Sequence, residues 1–228
     1  MKLIAKGNTA EVFEYDNRFI CKLFYPGYPR AFCEHEFYNA QTVFQAGIKT
    51  PRAHKMVRMD GRDGIVYDQV IGKPLSSLLH HAGKSKQVEW ISRFAEFHKL
   101  LLKHKSDSVM DYKDFLRLFS GGSIETAAEI NKLANGCTLL HGDFHPGNII
   151  VDPDGELVLI DMMNLCRGPA AYDIARTFFL LEKSWGLQNE YLERMEYRPA
   201  EITPYRNVIS LVRQKEERSD AGTVRDVP

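Results

Sequence analysis

Residues 141–148, His-Gly-Asp-Phe-His-Pro-Gly-Asn, gather two histidines, an aspartate and an asparagine between the apolar runs at 137–140 and 149–151. The mixture suits neither a helix interior nor a sheet interior, and its glycines and proline let a loop hold unusual dihedrals. His141, Asp143 and Asn148 have the His-x-Asp-x-x-x-x-Asn spacing of a kinase catalytic loop. One hairpin later, "LVLID" ends on Asp161. A carboxylate that orients and deprotonates a hydroxyl, with an amide and a second carboxylate as hard ligands for magnesium, are the parts phosphoryl transfer needs. Taken alone, the octet has a plainer reading, because Asp and Asn before a strand often serve only a turn. The hairpin carrying Asp161 favours the chemical one.

Such a site also needs an upstream lysine on a strand, paired with a helix glutamate. "FICKLF" (19–24) puts Lys22 on an apolar face with Ile20 and Phe24, where an ammonium is costly without an anion. Snorkelling past the sheet edge is the alternative. On the helix expected from about Ala31 to Ala46, Glu36 interrupts a stripe of Phe32, Ala40, Val43 and Phe44, whereas Glu34 aligns with Tyr38, Gln41 and Gln45. Glu36 is therefore the expected partner and Glu34 a solvated charge. Gly7, Asn8 and Thr9 form a turn able to aim N–H groups at phosphates, a weak signal with only one glycine.

The elements that must hold these groups fall into two halves. Strands are expected at 11–15, 19–24, 54–59 and 65–70, with "DGRDG" as the last turn and one helix in the middle that stops at Gly47. After "IGKPL" (71–75) the pattern turns helical. One helix at 87–104 carries Val88, Ile91, Phe94, Ala95 and Leu102, with Ser85 as a possible cap; another begins on Ser123 and ends on Gly136. Strand, loop and β-hairpin then occupy 137–161. The polar residues from 216 on are expected not to pack.

Thirty basic and thirty acidic residues cancel in a 228-residue chain that is 44% hydrophobic. No global field selects nucleic acid or an anionic membrane, and no apolar run approaches the ~20 residues that span a bilayer. Four cysteines stand singly, without a CxxC pair, which fits a reduced, cytoplasmic chain.

"LLHGDFHPGNIIVD", "LVLIDMMN", "AYDIART", "ICKLF", "CEHEFYNAQTVFQAG" and "GIVYDQVIGKPL" together resemble the aminoglycoside phosphotransferase and choline kinase superfamily, over about residues 5–180. The resemblance implies an α+β, two-lobed protein-kinase-like fold: an N-lobe of antiparallel sheet and one helix (1–70), a hinge (71–74) and a mainly helical C-lobe (75–228). It implies transfer of the γ-phosphoryl group of ATP to a hydroxyl of a small molecule, with Asp143 as base and Asn148 and Asp161 on Mg2+. Lys22 would hold the α and β phosphates, steadied by Glu36. Adenine would lie against Val12 and bond the hinge near Gln69 and Val70, and Asp173 would brace the catalytic loop without being catalytic.

The chain departs from the family where Met162, Met163 and Asn164 follow Asp161, leaving no extra carboxylate there, and in a short C-terminal region whose helices are expected to end near residue 218. A metallohydrolase reading of His141, Asp143 and His145 lacks further ligands at suitable spacing. An atypical protein kinase would need an activation segment after Asp161, and a nucleotide-binding module without catalysis would not need all four key side chains. From Arg176 onward nine basic residues meet nine acidic ones, a balance that does not select a polycation. Trp185, Tyr191, Tyr197 and Tyr205 could cage a quaternary amine or wall an acceptor pocket, although aromatics at helical spacing are more often packing residues.

Overall fold

The structure is a computed structural model that describes residues 1–223, with side chains to Arg213. By contacts the chain divides into two compact units: residues 1–81 with 146–164, and residues 82–145 with 165 onward. The chain-order division at 70–75 differs from this one, because residues 71–81 and the hairpin group with the N-terminal sheet.

The first unit is built on a five-stranded antiparallel sheet in the order β1 (Leu3–Lys6), β2 (Ala10–Glu14), β3 (Phe19–Phe24), β5 (Arg62–Asp68), β4 (Ala53–Met59). The exposed strand β1 has no apolar alternation and was not expected. β5 begins three residues before the expected Ile65, because the turn is only Asp60-Gly61, both at positive φ. Helix α1 (Arg30–Gln45) packs on β4 and β5 and is followed by Gly47 at φ 79°. Its buried face is Cys33, Glu36, Asn39, Ala40 and Val43, and Phe32 and Phe44 lie off it, exposed. The stripe is thus turned from the expected one, and Glu36 lies at its centre. A three-stranded sheet in the order β6 (Lys73–Pro74), β8 (Ile149–Val151), β9 (Leu157–Leu159) completes the unit with α2 (Leu75–His81).

In the second unit β7 (Thr138–Leu140) pairs antiparallel with β10 (Cys166–Gly168). Around them are α3 (Lys84–Leu102), α4 (Tyr112–Leu118), α5 (Ile124–Lys132), α6 (Ala170–Ser184), α7 (Gln188–Arg194) and α8 (Pro199–Thr223). α3 is entered from Gly83, not Ser85, and buries Trp90 and His98 beside the expected Ile91, Phe94 and Ala95. Ser123 does cap α5, its Oγ accepting from the Thr126 N–H at 3.3 Å. Gly136 does not end that helix; it lies where a Cβ would strike the Gly168–Pro169 backbone. α8 continues past residue 218 to Thr223, and the expectation of loose packing from 216 on falls outside the described side chains. Among the described residues no helix is long and apolar enough to cross a membrane.

Candidate active site

In the first unit, β3 carries Lys22 between Val12 of β2 and Ile65 of β5. Its ammonium reaches Glu36 Oε1 at 2.7 Å and Oε2 at 2.9 Å, and Asp161 Oδ1 at 3.0 Å. The Tyr67 hydroxyl donates to Glu36 Oε1 at 3.1 Å. Lys22 does not snorkel, since its side chain is 14% exposed and that of Glu36 1%. Burial opposes the ammonium, but the two carboxylates outweigh it and hold the Lys22 pKa above the ordinary lysine value. Burial likewise pushes the Glu36 carboxyl upward, against the pull of Lys22 and Tyr67. Glu34 pairs with Arg30 at the surface, as a solvated charge should.

The hairpin β8–β9 brings Asn148 and Asp161 to one end. Asn148 closes a single 3-10 turn, Pro146–Asn148, and its carbonyl accepts from the Ile160 N–H at 2.9 Å, beside Asp161. Asp161 stands at φ 67°, a left-handed conformation uncommon for a non-glycine residue and found where a side chain must be aimed. The next residues are tied to α1, the Asn39 amide donating to the Met162 carbonyl at 2.9 Å. Two hard oxygen side chains at one hairpin end suit a magnesium ion, which takes few protein ligands and fills the rest with phosphate and water. Among the described residues no group of three or more His, Cys, Asp or Glu side chains is placed to hold a metal ion.

In the second unit the loop that carries His141 and Asp143 is held by α6. The buried Asp173 carboxylate accepts from the His141 and Gly142 N–H groups, each at 2.8 Å, and meets His98 Nε2 at 3.0 Å. Burial alone would raise the Asp173 carboxyl; the hydrogen bond from His98 and the neighbouring His141 prevail and lower it. Asp143 Oδ1 lies 3.1 Å from Arg176 Nη2 and Oδ2 3.4 Å from His145 Nε2. Burial acts upward here too, but the His145 hydrogen bond and the Arg176 charge hold the Asp143 carboxyl well below the usual carboxylate range. The His145 ring stacks at 6.3 Å on that of half-buried Trp185.

Among the other residues singled out, Val12 is half-buried opposite Lys22. Gln69 and Val70 follow β5, with the Gln69 N–H already given to the Arg18 carbonyl, so only the Gln69 carbonyl and the Val70 backbone could serve a base. Gly7 also donates its N–H internally, to the Ala10 carbonyl, so it is not among the turn's candidates for a phosphate. Tyr191 is not a pocket wall: it is fully buried and its hydroxyl lies 2.7 Å from His98 Nδ1. Tyr205 is buried near Tyr112. Unforeseen neighbours are Arg176 and His145 beside Asp143 in the second unit, and Tyr67 beside Glu36 in the first. Arg176 stands three after Asp173 on one helix, a spacing that could have linked it to the loop.

Residues 123–205 match the family model described as the phosphotransferase enzyme family. No curated protein matches the chain. Among solved structures, the fold is that of an aminoglycoside-3'-phosphotransferase of type VIII, at 15% identity, covering 92% of this chain and 93% of that one with a TM-score of 0.70. An aminoglycoside phosphotransferase from Streptomyces rimosus in complex with ADP and streptomycin matches at 18% identity over 89% and 90% of the two chains, TM-score 0.67. A thermostable mutant of a third such enzyme, in a ternary complex with AMP-PNP and hygromycin B, matches at 14% identity over 97% and 87%, TM-score 0.70. The chain has the kinase-like α+β fold of the aminoglycoside phosphotransferases, and the resemblance read from its sequence holds.

Proposed function

We propose, for a chain with this fold and a phosphotransferase-family segment, ATP-dependent transfer of the γ-phosphoryl group to a hydroxyl of a small molecule. The observation that carries the proposal is the Lys22 ammonium seated on Glu36 at 2.7 Å and on Asp161 at 3.0 Å. A cation kept charged by two carboxylates on a nucleotide-sheet strand has its natural third partner in a phosphate. In this reading Glu36 holds Lys22 toward the α and β phosphates, adenine lies against Val12, and the Gln69 carbonyl and Val70 backbone bond its edge at a hinge spanning 71–74. Asn148 and Asp161 would hold Mg2+, which when bound neutralises charge on the β and γ phosphates.

Asp143 orients the acceptor hydroxyl and takes its proton. In a loose transition state the positioning of that hydroxyl matters more than its deprotonation. The acceptor we favour is a neutral or singly charged hydroxyl compound, because Asp143 already faces Arg176 and His145 and the C-terminal charge is balanced. A polypeptide acceptor is disfavoured, since only residues 162–169 separate Asp161 from α6 and leave no length for a docking segment. The test is a 31P NMR screen of glycerol, pentoses, hexoses, choline, ethanolamine and streptomycin with Mg·ATP. A phosphate ester on a small hydroxyl supports the reading; phosphorylation of protein substrates with no small ester formed overturns it.

A further inference from the structure

Helix α6 meets the catalytic loop residue by residue. Asp173 takes the His141 and Gly142 N–H groups, and the Thr177 hydroxyl donates to the Phe144 carbonyl at 2.9 Å. Between them Arg176 Nη2 lies 3.1 Å from Asp143 Oδ1. Positions 173, 176 and 177 share one helix face, so that face holds four consecutive loop residues. Asp173 and Thr177 bind backbone and determine where the loop runs. Arg176 touches the side chain itself. Its own side chain is 12% exposed, and a largely desolvated guanidinium on a carboxylate is directional in a way that a surface pair is not.

We infer that Arg176 is a positioning residue for the proposed phosphoryl transfer, fixing the Asp143 carboxylate through Oδ1 so that Oδ2 is the oxygen presented to the acceptor hydroxyl. His145, 3.4 Å from Oδ2, holds that oxygen until the acceptor arrives. In the step itself the hydroxyl proton passes to Oδ2 as the acceptor oxygen bonds to the γ phosphorus. The bond from that phosphorus to the β–γ bridging oxygen breaks, and ADP leaves with the electron pair. Arg176 takes no proton. The inference rests on the proposed function, and the two can fail separately.

The experiment compares wild type, Arg176→Gln, Arg176→Lys and Arg176→Ala with Mg·ATP and the first compound turned over in the panel above, or water if none is. Arg176→Gln should lose about 10- to 100-fold in kcat, the scale of a misplaced catalytic group. Its ATP KM should stay within about twofold, because no ground-state nucleotide contact is removed. The groups facing Asp143 in this unit include His141 and His145 on the loop and Arg176 and Tyr172 on α6. Removing the only permanent cation among these raises the Asp143 pKa, so the acid limb of kcat should move to higher pH. Arg176→Lys should recover part of the rate, and added guanidinium ion should rescue Arg176→Ala. A purely structural arginine would give neither the moved limb nor the rescue, and that outcome overturns the inference, as does an unchanged kcat in Arg176→Gln. If Arg176→Gln does not fold, wild-type kcat and acid limb in Arg176→Lys overturn it instead. Absence of any turnover in wild type overturns the proposed function.

Discussion

An ammonium on a largely buried strand is stable only beside anions, and Lys22 has two. Because Glu36 contacts Lys22 through both oxygens, the pair should behave as one unit. Lys22→Ala and Glu36→Ala are each expected to lower kcat/KM, and the double variant to lose much less than the sum; strict additivity in the cycle would separate them. Both residues were legible from the sequence, since each is a charge at a position where local periodicity demands an apolar side chain. The roles proposed for Asp143, Asn148 and Asp161 were read on another ground, the fixed spacing of a loop and one hairpin. Arg176 was not, because its partner lies 33 residues away and no periodicity says which helix face meets which loop. Tyr191 misled for the same reason: an aromatic at helical spacing fits a wall or a core equally, and burial decided for the core. Tyr191→Ala should therefore lower Tm, whereas Trp185→Ala should raise the acceptor KM with the ATP KM nearly unchanged, both read from one preparation of each variant.

Among the elements, α6 is the one on which the loop carrying Asp143 depends. Asp173 is buried, ionised and hydrogen-bonded on both oxygens. Its folded pKa is depressed below its unfolded one, so its stabilisation is complete above the unfolded value of about 4 and is lost as pH falls through the folded value. Urea midpoints should accordingly be flat near neutrality and fall below about pH 4. Asp173→Asn should cost about 3 kcal/mol at pH 7, as removal of one member of a buried network does, and should flatten that acid decline. A midpoint equal to wild type at pH 7 would remove Asp173 from this role. Hairpins and the Ser123 cap were readable because turn chemistry is local. The face of α1 was misplaced because Phe32 and Phe44 attract attention by size, while the sheet receives Cys33, Glu36, Ala40 and Val43. Gly136 looked like a helix end, yet its lack of a side chain serves a backbone approach to Gly168, which only the packed structure reveals.

For the whole molecule, a balance of thirty basic and thirty acidic residues leaves recognition to the site. Asn148 and Asp161 as magnesium ligands predict that turnover ceases in excess chelator and returns on adding Mg2+; an undiminished rate in chelator would refute that assignment. The role of Asp143 in ATP-dependent transfer to a small hydroxyl is tested by single-turnover transfer from Mg·ATP to a panel acceptor by wild type and Asp143→Ala, with ATP binding followed in parallel. Asp143→Ala should bind ATP as wild type does and transfer about 10²–10⁴-fold more slowly, the range for loss of a positioned general base. Transfer by Asp143→Ala at the wild-type rate would rule out that role.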